Sequence, residues 1–113
     1  VIIDKLEFLF SQQKDLSILT NEENSRYPKT KVGRINVLST AIIHEAVELQ
    51  RLTDWKWWKK FQELNEPEAK EELIDIWHFV IQASIELEMG PENIIKEYMK
   101  KNKENLLRQE KGY

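Results

Sequence analysis

Apolar residues return at helical intervals over most of the chain. Ile2, Ile3, Leu6, Leu9 and Phe10 predict an opening amphipathic helix that runs to about Lys14 or Leu16. The segment from Leu19 to Gly33 loses that period, mixes Asn, Glu, Ser, Pro and Lys, and reads as a loop with a turn around Pro28. After Gly33, the residues Leu38, Ala41, Ile42, Leu49 and Leu52 form the stripe of a second helix. A third is expected beyond Pro67, from about Glu68 to Met89. Its centre, LIDIWHFVI, is apolar around nearly the whole circumference, the pattern of a helix surrounded by protein. Gly90 and Pro91 read as a stop followed by a restart, so a last helix begins near Pro91. With no internal repeat, the pattern implies one all-α domain over residues 1–113, a bundle of four to five helices.

Composition narrows the class of protein. The 113 residues suit one hydrophobic core and not two. Charged residues make up 33%, and the formal net charge of -3 provides no global basic field, so wrapping a nucleic acid polymer is disfavoured. The absence of cysteine excludes thiol catalysis and thiolate metal sites. No apolar run approaches a membrane span and no signal-peptide pattern is visible, so a cytoplasmic protein is expected. Neither a Walker-type phosphate loop nor a GxGxxG string occurs, which leaves phosphate handling to a metal and to basic side chains.

Two pairs of acids stand out against the apolar stripes. Glu45 and Glu48 in HEAVELQR, and Glu72 and Asp75 in EELIDIWHF, are each three residues apart, so each pair leaves one helix face as adjacent oxygen donors. Glu45 lies within its helix's apolar stripe, three residues after Ile42 and four before Leu49. An inward carboxylate there either pairs with a base at the rim of the core, takes up a proton, or binds a cation. Two helices packed with the four acids facing each other would hold Mg²⁺. HEAVE is one residue from the HExxH zinc pattern, but its second His is missing.

Other residues carry more than one reading. In DWKWWKKF, Trp55, Trp57 and Trp58 alternate with Lys56, Lys59 and Lys60, which suits a core lid, a dimer contact, or base stacking beside phosphate-seeking lysines. Gln12 and Gln13 close the first helix and read as a solvated last turn. His78 extends the Glu72 and Asp75 strip by one turn, as a hydrogen-bonded core histidine or a ligand-facing group. Lys101, Asn105 and Arg108 form a stripe that is either solvated or able to grip a polyphosphate.

Four strings together resemble one family, the all-α dimeric dUTPases within the MazG-like nucleotide pyrophosphohydrolases. The ExxE and ExxD pairs match Glu45, Glu48, Glu72 and Asp75; TDWKWWK, DIWHF and KNKENLLRQEKGY narrow the match, and SQQKDL resembles the glutamine-rich segment. The resemblance reaches Tyr113 and implies a compact member, short of a helical segment before the last motif. It implies Mg²⁺-dependent hydrolysis of dUTP, and of dUDP, to dUMP with release of pyrophosphate or phosphate, which would limit uracil in DNA and supply dUMP. Two or more Mg²⁺ ions, with Mn²⁺ able to substitute, would sit on the four acids, with Glu45 and Glu48 also catalytic. Gln13, Trp55, Trp58, His78, Lys101, Asn105, Arg108 and Tyr113 would contact the deoxyribonucleotide. A homodimer or higher homo-oligomer is implied. The alternatives are a MazG-like pyrophosphohydrolase of another or broader base preference and, more distantly, a non-enzymatic helical oligomerisation module.

Overall fold

The computed structural model describes residues 4–112, so Ile2 and Ile3 of the opening stripe and Tyr113 lie outside the described residues. It contains four α-helices, α1 (Lys5–Ser17), α2 (Lys31–Arg51), α3 (Glu66–Glu86) and α4 (Pro91–Glu110), and among the described residues no strand. No described helix is long and apolar enough to cross a membrane.

Local chemistry explains the helix ends. Asp4 caps α1 by accepting the Glu7 amide at 3.0 Å, and Asn65 caps α3 by accepting that of Glu68 at 3.2 Å. The segment read as a loop from Leu19 is partly helical, because α1 continues into a π-helical turn at Ile18–Glu22. Likewise, α2 begins before Gly33. Thr30 accepts the Gly33 amide at 3.0 Å and starts the helix at Lys31. A Cβ on Gly33 would lie 2.9 Å from Thr30 Oγ1 and 3.0 Å from Pro28 Cβ, so the glycine serves the close approach of the turn instead of ending a loop.

The third helix ends at Glu86 and not Met89. Hydrogen bonds donated by the Glu88 amide to the Ile85 carbonyl and by the Met89 amide to that of Ser84, both at 2.9 Å, close its last turn, with Glu88 at φ 60° in the left-handed position that glycine usually takes. Gly90 instead caps α4 from an extended conformation, and Pro91 opens that helix as expected.

α2 and α3 form the main packed pair. Arg34 meets Glu86 at one end, while Glu45 meets Glu72 and Asp75 farther along, so the two helices run antiparallel. α1 lies against α3, and of the other helices α4 touches only α1. The core is thin. Phe10, Leu38 and Ile81, one from each of the first three helices, are its buried apolar residues, beside buried Gln13, Ser17 and Gln82.

The expectation that α3 is surrounded by protein is corrected within one chain. Ile74 and Trp77 are half exposed, and Leu73 and Val80 only slightly less, because α2 and α1 cover two sides and leave a third open. The chain exposes 9510 Å², against about 6,600 Å² for a compact monomer of this mass.

With so few buried apolar residues, each has a large share of stability. Leu38→Ala is expected to lower unfolding free energy by about 3 kcal/mol in urea denaturation. Val32→Ala, at a side chain 81% exposed, is expected to stay within about 0.5 kcal/mol.

Candidate functional site

Antiparallel packing of α2 on α3 brings one carboxylate oxygen from each of Glu45, Glu72 and Asp75 within 4.8 Å of one another. Glu45 and Glu72 are partly buried, whereas Asp75 is exposed, contrary to the burial suggested by its apolar surround. None of the ion pairs among the described residues reaches these acids. Glu48 stands one turn beyond Glu45, exposed and outside the three-oxygen cluster, though its charge acts on Glu72.

Glu72 registers the crowding. Its Oε2 is buried and finds no hydrogen-bond partner in the protein. Its carboxyl is pushed up to about 7, first by the adjacent Glu45 carboxyl, with which a proton can be shared, then by lost hydration, then by the charges of Glu45, Glu48 and Asp75. An orphaned oxygen among carboxylates with no basic partner fits a hard cation: it would supply the missing partner and cancel the repulsion.

A second set of polar groups runs from α3 to α1. Gln13, read from the sequence as solvated, is buried, while Gln12 is exposed. The Gln13 Oε1 lies 2.9 Å from His78 Nδ1, and its Nε2 donates to Gln82 Oε1 at 3.1 Å. Gln82 Nε2 donates to Glu86 Oε1 at 3.1 Å. Glu86 also accepts from Tyr27 at 3.1 Å and from Arg34 at 3.3 Å, and Arg34 is held by the Pro28 carbonyl at 2.8 Å. Burial, then the charge of Glu86 and the hydrogen bond to it, push the Tyr27 hydroxyl up to about 12, so it stays a neutral donor.

Sequence reasoning missed Gln82, Glu86, Tyr27 and Arg34. The helical spacing His78, Gln82, Glu86 was a signal for the first two; the others come from the α1–α2 connection and from α2, with no local mark.

His78 and Gln13 border a cleft of 480 Å³ whose other walls include Leu9, Leu16, Trp77 and Ile81. Ile74 lines both this cleft and a shallower one beside Glu72 and Asp75. Trp55 and Trp58 do not form a core lid. They lie partly exposed in the connection after α2, with ring centroids 5.8 Å apart and nearly perpendicular. Trp55 lines a basic cleft of 370 Å³ with Arg51, Lys56, Lys59 and Lys60. Asn105 and Arg108 share a small cleft on α4, where Lys101 pairs with Glu104 at 3.9 Å. Because α4 packs on neither α2 nor α3, a single chain does not bring its stripe into helix contact with the acids.

The sequence profile of the dUTPase family matches residues 5–93, from α1 into the start of α4. The dCTP pyrophosphatase of Enterobacteria phage T4 is 41% identical over 71 residues, covering 52% of this chain and 42% of that protein. The dCTP pyrophosphatase of Enterobacteria phage LZ5 is 42% identical over 71 residues, covering 52% of this chain and 41% of that protein. The chain thus spans about two fifths of the length of these curated relatives. No solved structure gives a significant match.

The Glu72 shift has a definite sign. A carboxyl raised to about 7 from 4.5 in the folded chain contributes stability that is complete below about pH 4.5 and lost as pH rises through about 7. In metal-free buffer the urea midpoint is expected to fall between pH 5 and pH 8. Glu72→Gln is expected to remove most of that fall, and an unchanged slope would mean that the carboxyls are not crowded.

Proposed function

The chain belongs to the all-α dimeric dUTPase family, and from that premise we propose that it is a Mg²⁺-dependent nucleotide pyrophosphohydrolase that converts dUTP and water to dUMP and pyrophosphate. The observation that carries this reading is the cluster of Glu45, Glu72 and Asp75 around an orphaned buried oxygen. These three residues would hold the metal, and Mn²⁺ could take its place. When bound, Mg²⁺ neutralises phosphate charge and makes nearby water more acidic.

The chain's own groups supply the rest. Glu48, beside the cluster but outside it, is the carboxylate left free to take a proton from the attacking water. Arg51 lies one turn beyond Glu48 on α2 and lines the basic cleft with Lys56, Lys59 and Lys60, cations suited to phosphate oxygens. His78 and Gln13 stand at the apolar cleft, which shares Ile74 with the shallow cleft at Glu72 and Asp75 and offers a suitable wall for a base.

A second substrate, dCTP, is favoured by the two relatives named for it. The excess exposed surface and the open side of α3 support a homodimer, in which a second copy covers Ile74 and Trp77 and brings an α4 stripe of Lys101, Asn105 and Arg108 to the site.

Pyrophosphate release from dUTP, dCTP, dTTP and UTP, with and without Mg²⁺, tests activity and base choice together. Turnover of dUTP only with Mg²⁺ is expected, and Glu45→Gln and Asp75→Asn should each reduce it by about a hundredfold or more. Full turnover in either variant would remove the metal assignment, preferential turnover of dCTP would replace the substrate, and no turnover in any arm would return the oligomerisation module.

A further inference from the structure

The hydrogen bonds from Arg34 to His78 have only one consistent direction. Glu86 sits against the Arg34 guanidinium and accepts from Tyr27, so its carboxylate oxygens are acceptors. Whatever end of Gln82 faces Glu86 must therefore donate, and the opposite end, its carbonyl, must face Gln13. Gln13 then presents its amino group to Gln82 and its carbonyl to His78. A carbonyl 2.9 Å from Nδ1 requires Nδ1 to carry the hydrogen. Reversing any one amide would set two acceptors against each other inside a segment where Gln13 and Gln82 are both more than nine-tenths buried.

We propose that Gln82 and Glu86 are positioning residues that hold His78 in its Nδ1–H tautomer, leaving the Nε2 lone pair as an acceptor for an N–H on the edge of a pyrimidine base in the adjoining cleft. The base-binding part deepens the nucleotide reading above and rests on it; the tautomer does not. Uracil offers its ring N–H and cytosine its exocyclic amino group, so both present the required donor. A histidine free to exchange tautomers would offer a donor part of the time and would oppose that edge. Neither Gln82 nor Glu86 need touch the nucleotide.

Nitrogen-15 NMR of His78 in the full chain at pH 8, without nucleotide, reads the tautomer directly. The expected spectrum has a pyrrole-type Nδ1 and a pyridine-type Nε2. In Glu86→Gln, whose amide can face Gln82 either way, and in Gln82→Met, which cuts the relay, the two nitrogens are expected to move toward averaged shifts. For dUTP and dCTP, the same variants should raise KM for the better substrate by about tenfold, the worth of one hydrogen bond, with kcat within about twofold. If Glu86→Gln fails to fold, Gln82→Met decides. A wild-type Nε2–H tautomer, or shifts unchanged in Gln82→Met, overturns the relay. The predicted tautomer without any nucleotide turnover sustains the relay and overturns the nucleotide reading instead. Altered shifts with an unchanged KM overturn the base-binding part.

Discussion

Mutual repulsion among carboxylates at the seam between α2 and α3 is the constraint on which the rest of the structure depends. Packing two amphipathic helices normally drives acids outward, yet here Glu45 and Glu72 lie partly buried with Asp75 beside them, and no ion pair among the described residues reaches them. Glu72 answers by holding its proton to about 7. The seam therefore keeps one buried carboxylate oxygen, Glu72 Oε2, without a hydrogen-bond partner in the protein. A cation held there would turn this crowded contact into a binding site.

The opposite end of the same seam solves a similar problem by pairing. Glu86 is also partly buried, but Arg34, Tyr27 and Gln82 all donate to it. A carboxylate that accepts from three donors has its oxygens satisfied, whereas one surrounded by other carboxylates does not. From that satisfied anchor a line of amides crosses to α1. Beside the buried Phe10, Leu38 and Ile81, the Gln13–Gln82 hydrogen bond ties α1 to α3 through two buried amides. The polar line carries direction as well as attachment, since hydrogen bonds between amides have a donor end and an acceptor end.

Much of the site was legible in the sequence because helical spacing is a local property. Residues three apart share a face, so Glu45 with Glu48 and Glu72 with Asp75 could be paired before any fold was known. What spacing could not say is how two faces register against each other. Glu45 enters the three-oxygen cluster and Glu48 falls one turn outside it because of where α2 sits along α3. Gln13 was misjudged for a related reason. Glutamine is mostly exposed, and only His78 and Gln82, more than sixty residues away, make its burial affordable. The start of α2 was placed too late because a glycine was read as a breaker, when its lack of a side chain is what lets Thr30 and Pro28 close the first turn. On α3, an apolar circumference foretold enclosure, and the single chain leaves Ile74 and Trp77 open.

The sequence by itself determined the four helices, the carboxylate pairs and the family, since each is written in residue types at short, fixed separations. Only the tertiary structure decided which acids meet, which amide directs His78 and which apolar face stays uncovered. Those outcomes depend on the antiparallel register of α2 and α3 and on the placement of α1, and no run of neighbouring residues encodes the distance between side chains on different helices.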